Sequence, residues 1–440
     1  AGAGTGRRRI ASRTVSVGAR GARPGAAQRV SGGVTLDITS IAAGGDGVAR
    51  HEGLVVFVPR TAPGDRVHAR LTTKGRFARG VLVDIVQPGP GRIAPPCQHY
   101  ERDRCGGCQL QHLDVDAQRA AKSFIVRDAF ARIGKRDVAL PEVRGGADGF
   151  RYRRKLTLAL RWTGSGWRAG LHRAGAPDEI FALDDCLITD ALVVAGFHDV
   201  LARGARLLPL ARSLRASLRR SGDDLLLVIE GGERWPRARA FADAVSTVAA
   251  TWWVNEHGVR RLVLDRRGVR DPGASFAQVN APVAARLAAH VEALVMAHAP
   301  STAVDAYAGT GDLAVSLAAR GVAVTAVELD AAASAWCAQR LAAPSRAVAA
   351  RVEEVMAGLL PADVVLLNPP RAGVTGAVTD ALSSNGPRPR AIVYVSCDPA
   401  TLARDVARLS GWRVASLVCF DMFPQTAHVE TVCELVPEAA

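Results

Sequence analysis

The sequence has few cysteines and no long apolar run, and each shortage excludes a class of protein. Eight cysteines among 440 residues are too few for a fold held together by disulfides. No stretch of about 18 apolar residues occurs, so we expect neither a membrane-spanning helix nor a membrane partner. No apolar stretch follows the basic N-terminus, which argues against a secretory signal and predicts a cytoplasmic protein. A composition of 48% apolar and 22% charged residues excludes a wholly disordered or fibrous chain.

Lysine is also scarce, although the chain is strongly basic. There are 56 Lys and Arg against 42 Asp and Glu, a formal net charge of +14, and only four of the basic residues are lysines. Such an excess predicts a polyanionic partner, and arginine is suited to bidentate phosphate contacts. A GC-rich genome would produce the same arginine bias, together with the many Ala and Gly residues.

The apolar pattern divides the chain into four segments and predicts a multidomain protein, which we expect to be a monomer. Residues 1–29 contain seven arginines and no acid, which predicts a flexible basic arm. Short β runs between Gly/Asp turns predict an N-terminal OB-like β-barrel over 30–90. Residues 91–275 predict a central α+β, RNA-binding region that contains the clustered cysteines, and its helical stretch at 115–133 is a candidate to pack on the last domain. Regular β–α alternation predicts a C-terminal α/β doubly wound, Rossmann-like domain over 276–440. Its helices are predicted at 281–298, 312–319, 331–342, 375–384 and 399–409.

Residues 150–173 carry seven basic residues and no acid, with aromatic residues between the charges. Alternation of this kind is typical of strands that present a basic and aromatic face to single-stranded RNA. The candidate RNA contacts are Arg151, Arg153 and Arg154. An ordinary amphipathic hairpin with its aromatic residues in the core is the alternative.

A glycine turn in the C-terminal domain indicates a nucleoside site. The strand TAVDAY runs directly into a turn that contains Gly309 and Gly311, and a helix follows. One strand later Glu328 stands at a strand end, where a carboxylate can accept both ribose hydroxyls. The third glycine of the dinucleotide fingerprint is missing, and the next strand ends in Asn368-Pro-Pro. These features favour S-adenosylmethionine over a dinucleotide.

A cysteine and a glutamate complete the candidate chemistry. Cys397 follows a strand at the predicted ligand-binding edge and precedes a helix N-terminus, which we expect to favour its thiolate. Glu430 lies among apolar residues, so partial burial should raise its pKa toward that of a useful base.

Four motifs resemble those of the RNA (uracil-5)-methyltransferases. They are YVSCDPATLARD at 394–405, DMFPQTAHVETV at 421–432, SFAQVN at 275–280 and NPPRAG at 368–373. The front of the chain resembles the members that carry a TRAM barrel and an iron–sulfur cluster. By layout the chain is most similar to the bacterial 23S ribosomal RNA enzymes.

The resemblance implies S-adenosylmethionine-dependent methylation of C5 of a uridine in 23S rRNA. It implies that Cys397 adds to C6 of uracil and that Glu430 removes the C5 proton. It also implies a set of residues around the cofactor and the base: Gln278, Tyr307, Glu328 and Asn368, with Gly309 and Gly311 shaping the loop and Phe276 near the target base.

The cysteine cluster is a candidate metal site. Four thiolates can bind zinc or a [4Fe–4S] cluster, and the residues alone favour neither. The resemblance of CGGCQLQHL at 105–113 implies a [4Fe–4S] cluster with a structural or RNA-contacting role. Its ligands would be Cys97, Cys105, Cys108 and Cys186.

Two departures from the family pattern affect these expectations. Seven residues separate Cys97 from Cys105, where close relatives usually have five. Asn368 stands where the family usually has an aspartate that accepts N3–H of uracil, so the identity of the base is less determined than the reaction.

Two other functions stay open. The first is methylation of the T-loop uridine of tRNA, and the second is a non-catalytic RNA-binding protein that keeps the fold. An enzyme acting on exocyclic amines would have an aromatic residue after Asn-Pro-Pro, but Arg371 stands there.

Overall fold

The structure is a computed structural model that describes residues 33–146, 149–268, 278–384, 386 and 388–438. The predicted arm at 1–29, the first residues of the predicted barrel and the candidate base contact Phe276 lie outside these ranges. The described residues form three β-sheets, and no helix among them is long and apolar enough to cross a membrane.

The N-terminal unit is a six-stranded sheet with an apolar core of its own. Its strands are β1 (Val34–Asp37), β2 (Ser40–Ile41), β3 (Gly47–His51), β4 (Leu54–Val58), β5 (Arg66–Lys74) and β6 (Phe77–Gln87), in the spatial order β1-β5-β6-β4-β3-β2. Alternate residues of β5, among them Val67, Ala69 and Leu71, are buried, so one face encloses the core while the other faces solvent. Since β1 also contacts β3, the sheet curls around that core.

The segment after this sheet belongs structurally to the C-terminal unit. It contains α1 (Gln98–Glu101), α2 (Val115–Arg132) and β7 (Glu142–Arg144). From α2, Val126, Ala129 and Phe130 lie in the same core as residues of the C-terminal sheet, and β7 pairs with a strand of that sheet.

The central unit is a seven-stranded sheet with helices packed on one face. Its strands are β8 (Lys155–Trp162), β9 (Trp167–Arg173), β10 (Ala176–Ala182), β11 (Ser213–Ser221), β12 (Asp224–Glu230), β13 (Ala250–Val254) and β14 (Arg260–Asp265), in the order β10-β9-β8-β11-β12-β13-β14. The helices α3 (Ala191–Gly204) and α4 (Ala238–Ala244) pack on the face that buries Leu156, Leu158 and Leu160.

The C-terminal unit is an eight-stranded, doubly wound sheet. Besides β7, its strands are β15 (Thr302–Ala306), β16 (Ala323–Glu328), β17 (Arg346–Ala349), β18 (Val364–Leu367), β19 (Ala391–Ser396), β20 (Trp412–Phe420) and β21 (Glu430–Pro437). The spatial order is β17-β16-β15-β18-β19-β21-β20-β7. The first five strands of that order are mutually parallel, whereas β21 is antiparallel to both of its neighbours.

Helices and apolar cores lie on both faces of this sheet. The helices are α5 (Ala281–Ala297), α6 (Asp312–Ala319), α7 (Ala331–Arg340), α8 (Val352–Val355), α9 (Gly376–Ser383) and α10 (Pro399–Arg408). One core contains residues of α5, α6 and α7, and the other contains residues of α2, α9 and α10. The predicted α/β doubly wound domain is confirmed, because its apolar strands are buried on both faces.

Candidate active site

The carboxyl ends of four parallel strands bring the candidate residues to one edge of the C-terminal sheet. Glu328 ends β16, Tyr307 follows β15, Asn368 follows β18 and Cys397 follows β19. These strands are neighbours in the order β16-β15-β18-β19. Because neighbouring strands lie about 4.8 Å apart, the four residues are spread along roughly 14 Å of the edge. Ligands bind at this edge in doubly wound sheets.

The turn between β15 and α6 requires glycine and holds the candidate ribose acceptor. The backbone of Gly311 has φ of +79°, and a Cβ at this position would collide with Sγ of Cys337. The amide of Gly309 donates to Oε2 of Glu328, and the amide of Asp330 donates to Oε1, each at 2.8 Å. These bonds fix the Glu328 carboxylate, and its remaining lone pairs can accept ribose hydroxyls.

Three other candidate cofactor or base contacts are Tyr307, Asn368 and Gln278. Tyr307 has φ of +63°, rare for a bulky residue, and burial raises the pKa of its hydroxyl to about 12. Asn368 is exposed, and within the described ranges no protein group bonds its side-chain amide, so both ends of the amide can meet a base. Gln278 is half-buried just before α5, and the neighbouring Val279 carbonyl accepts the amide of Arg154.

Cys397 and Glu430 come together through the pairing of β19 with β21. Ser396 lies opposite Thr431 in this antiparallel pair. One further step along the register places Cys397 opposite Glu430, the first residue of β21. The thiol is half-buried and the carboxyl is only 4% exposed. Burial raises the pKa of Glu430 to about 7, which suits a general base near neutral pH.

The electrostatics around the thiol differ from the expectation. The helix N-terminus after Cys397 was expected to favour the thiolate, but the pKa of the thiol is raised, because burial and the nearby Glu430 outweigh the cationic neighbour. That neighbour is Arg371, whose positive charge lowers the pKa of both Cys397 and Glu430. Arg371 was not among the predicted site residues, although its position directly after Asn-Pro-Pro at the ligand edge was a usable signal.

A buried ion pair fixes the start of the loop that leads to Glu430. The side chain of Lys122, on α2, is fully buried, and its Nζ donates to Oδ1 of Asp421 at 2.5 Å and to the carbonyl of Phe423 at 3.0 Å. Since an ion buried without its partner is costly, this pair ties α2 to the loop at 421–429. Sequence reasoning missed this role, because nothing in the pattern of α2 distinguishes a buried lysine.

Gln425 connects the same loop to the cysteine segment. Its carbonyl accepts the amides of Gln109 and Leu110 at 3.1 and 2.9 Å, and its own amide donates to Oε1 of Gln118 at 2.8 Å. Gln425 is buried and has φ of +71°, an uncommon conformation that these bonds stabilise. The residues directly after Cys108 therefore help to position the loop that carries Glu430.

The four candidate metal ligands line one cavity of about 90 Å³. All four thiols are free, and burial raises the pKa of Cys105 to about 11 and that of Cys108 to about 12. Within the described part of the chain, no group of three or more His, Cys, Asp or Glu side chains is arranged to hold a metal ion. A zinc site would need four ligands converging at about 2.3 Å on one point.

The candidate RNA arginines have different surroundings. Arg151 forms a bidentate ion pair with Asp185 at 2.9 and 2.7 Å and also bonds the carbonyl of Cys186, so it fixes the loop that carries this cysteine. Arg153 donates through Nε to the carbonyl of Lys155, and no ion pair to Arg153 or Arg154 occurs among the described residues. The nearby aromatic residues do not form a common exposed face. Tyr152 is buried and donates to the carbonyl of Pro424.

Comparison with known proteins gives consistent results. Residues 341–436 match the tRNA (uracil-5-)-methyltransferase family. The 23S rRNA (uracil(1939)-C(5))-methyltransferase RlmD of Chromohalobacter salexigens is 32% identical over 90% of this chain and 88% of its own length. An uncharacterized RNA methyltransferase of Thermosynechococcus vestitus is 31% identical over 91% of this chain and 97% of its own length.

One solved structure has the same overall fold. It is the tRNA (uracil-54, C5)-methyltransferase of Pyrococcus abyssi in complex with S-adenosyl-L-homocysteine, with a TM-score of 0.68 at 23% identity. The likeness covers 91% of this chain and 99% of that chain.

Proposed function

The chain belongs to the RNA (uracil-5)-methyltransferase family, and from this premise we propose that it methylates C5 of a uridine in 23S rRNA. The observation that carries the proposal is the placement of Cys397 opposite Glu430, at the sheet edge that also holds Glu328 and the glycine turn. S-adenosylmethionine, when bound, supplies the methyl group. Its ribose hydroxyls would meet the Glu328 carboxylate.

Cys397 supplies the electrons that make C5 reactive. Its sulfur adds to C6 of the uracil and converts C5 into an enolate-like carbon that takes the methyl group. Glu430 then removes the C5 proton, the C5=C6 bond forms again, and the thiolate leaves. The thiolate of Cys397 is the attacking group in the first step and the leaving group in the last. Arg371 favours this thiolate, since it lowers the pKa of Cys397.

The choice of 23S rRNA over tRNA rests on overall layout. The relatives that match about nine-tenths of this chain include 23S rRNA enzymes, whereas the solved tRNA enzyme shares the fold at lower identity. We assign the curled six-stranded sheet at 33–87 to a TRAM barrel, which its separate core supports. Mapping the uridine that loses its 5-methyl group in a deletion strain tests the choice of RNA.

We further propose that Cys97, Cys105, Cys108 and Cys186 hold a [4Fe–4S] cluster. In such a cluster each thiolate binds a different iron, so the ligands surround a cavity and do not converge on one point. The shared cavity and the four free thiols that line it support this assignment. Anaerobically purified protein should be brown with about four irons per chain, and colourless protein with one zinc would contradict the assignment.

Covalent trapping tests the catalytic proposal. RNA that carries 5-fluorouridine has no removable proton at C5, so the wild type should stay attached to it through Cys397. Cys397→Ala should bind the same RNA without forming the adduct. A wild type that binds RNA but forms no adduct would support the non-catalytic alternative.

A further inference from the structure

One end of the N-terminal sheet packs into an apolar core that it shares with the catalytic unit. This shared core contains Ile41 and Ala62 from the N-terminal unit, Leu110 and Leu113 from the cysteine segment, Ala121 and Ile125 from α2, and Ala427 from the loop at 421–429. None of these residues is more than 6% exposed. Since close-packed interiors transmit displacements, a shift of the N-terminal sheet reaches the loop that leads to Glu430.

The turn between β2 and β3 brings backbone directly against this region. Gly45 in the turn has φ of +87°, and a Cβ built there would lie 2.5 Å from Cβ of Gln109 and 3.4 Å from Cβ of Ala427. Two carbon atoms cannot stay 2.5 Å apart without a bond, so any side chain at this position displaces Gln109. Glycine is thus required both by the left-handed conformation and by the close contact.

Hydrogen bonds connect the same parts of the chain. Nε2 of His112 donates to the carbonyl of Thr61 in the N-terminal unit at 3.1 Å, and Nδ1 accepts the hydroxyl of Tyr100 at 2.7 Å. The amide of Gln109 donates to the carbonyl of Gln425. Thr61, His112 and Tyr100 are each at most 1% exposed, which keeps water from competing for their bonds. The cysteine segment is therefore bonded to the N-terminal unit on one side and to the loop on the other.

Cys397 depends on a different set of neighbours. It follows β19, which lies between β18 and β21 in the sheet. Among the residues that the structure describes, no member of the shared core belongs to any of these three strands. Ala427, in contrast, lies three residues before Glu430. A disturbance that starts in the N-terminal sheet should therefore affect the base before it affects the nucleophile.

We propose that the N-terminal sheet positions the general base: its β2–β3 turn, packed through Gly45 against Gln109 and Ala427, holds the loop at 421–429 so that Glu430 can take the C5 proton. This inference rests on the proposed function, since it takes Glu430 as the base. It gives the N-terminal sheet a role in the release of the product, in addition to any contact with RNA.

The test variant is Gly45→Ala, with Gly53→Ala as the matched control. Gly53 lies in the β3–β4 turn of the same sheet and has φ of +79°, and no described atom lies within 4 Å of a Cβ built there. Both variants therefore carry the same left-handed strain, and only the first displaces a neighbour. In the double variant Gly45→Ala/Gln109→Gly the displaced Cβ is gone, so it should restore what Gly45→Ala loses, relative to Gln109→Gly alone.

Two rates are measured in single turnovers at saturating, in vitro transcribed 23S rRNA. Adduct formation on 5-fluorouridine RNA reports on Cys397, and adduct release from ordinary RNA reports on Glu430. In Gly45→Ala we expect formation within about twofold of the wild type and release slower by about tenfold to 10²-fold, the size expected for a misplacement of about 1 Å. Gly53→Ala should match the wild type in both rates. Unchanged release, an equal slowing of both steps, or the same effect in Gly53→Ala would overturn the proposal.

A milder pair of variants applies if the collision at Gly45 prevents folding. Ile41 lies in the shared core and Ile38 in the separate core of the N-terminal sheet, and both are 2% exposed. Ile41→Val should speed amide hydrogen exchange at 421–429 by about two- to tenfold, the range for one lost buried methyl group, and Ile38→Val should leave it unchanged. Equal exchange at 421–429 in the two variants would contradict the positioning role.

Hydrogen exchange also keeps this test separate from that of the proposed function, because it needs neither RNA nor turnover. A wild type that forms no adduct would refute the catalytic proposal. The exchange rates of the two isoleucine variants would still show whether the N-terminal sheet holds the loop.

Discussion

Replacing Glu430 by glutamine should trap the protein covalently on ordinary uridine RNA. Addition of Cys397 and methyl transfer come before the base is needed, so both should still occur. Release requires removal of the C5 proton, and an amide cannot accept it. Because Glu430 is only 4% exposed, we expect little replacement of its role by water. Loss of a positioned base typically costs a factor of about 10² to 10⁴, so the methylated adduct should accumulate.

The pH dependence of release provides a second signature. With the pKa of Glu430 raised to about 7, the wild-type carboxyl is protonated at pH 5 and ionised at pH 9. The rate of adduct release should therefore rise with pH through a midpoint near 7 in the wild type. The residual release in Glu430→Gln should lack this midpoint.

Glu430→Gln should lower the enzyme's activity but raise its stability at alkaline pH. The folded state holds the Glu430 proton more tightly than the unfolded state, in which the glutamate pKa is near its ordinary value of 4.5. Stability is then highest below pH 4.5, falls as pH rises to about 7, and is constant above. The shift corresponds to at most about 3 kcal/mol. Glu430→Gln should therefore be more stable than the wild type at pH 8.5, and close to it at pH 5.

Two assays test this reasoning. Denaturing gels with labelled uridine RNA follow the adduct over time, and urea unfolding midpoints at pH 5 and pH 8.5 follow stability. Normal release of methylated RNA by Glu430→Gln would show that another group is the base. An equal stability difference at both pH values would show that the carboxyl does not titrate near pH 7.

Three further predictions concern residues around Cys397 and Glu430. Glu328→Gln should weaken S-adenosylmethionine binding roughly tenfold by calorimetry, because two ribose hydroxyls lose a charged acceptor. Asn368→Asp should improve kcat/KM for uridine RNA, since a carboxylate accepts N3–H more strongly than an amide, and a decrease would show that the asparagine is selected for this site. Gln118→Ala should lose the bond to the amide of Gln425, and hydrogen exchange of 421–429 should become faster while that of the N-terminal sheet stays unchanged.

Local sequence was sufficient to predict the helices of the C-terminal unit. The predicted helices at 281–298, 312–319, 331–342, 375–384 and 399–409 agree with the observed bounds to within two residues. Caps explain much of this agreement. Asp330 and Asp398 accept backbone amides at the starts of α7 and α10, and such bonds depend only on neighbouring residues.

Other features depended on contacts between distant parts of the chain. The pKa of Cys397 was expected to fall because of the adjacent helix, yet it is raised, because burial and a residue 33 positions later decide it. The interleaved aromatic residues at 150–173 suggested a common exposed face, but Tyr152 is buried against the loop before Glu430. In both cases the sequence pattern showed which residue types are present, but tertiary packing determined the surroundings of each side chain.

The sequence by itself determined the order of strands and helices, the glycine turn and the identity of the candidate nucleophile and base, since these depend on periodicity, on caps and on motifs that lie within a few residues. Only the tertiary structure placed Cys397 opposite Glu430, buried Lys122 against Asp421 and set Arg161 opposite Arg168. These pairs depend on strand order, register and loop closure. Such features come from the free energy of burying all the apolar faces at once, which no short segment contains.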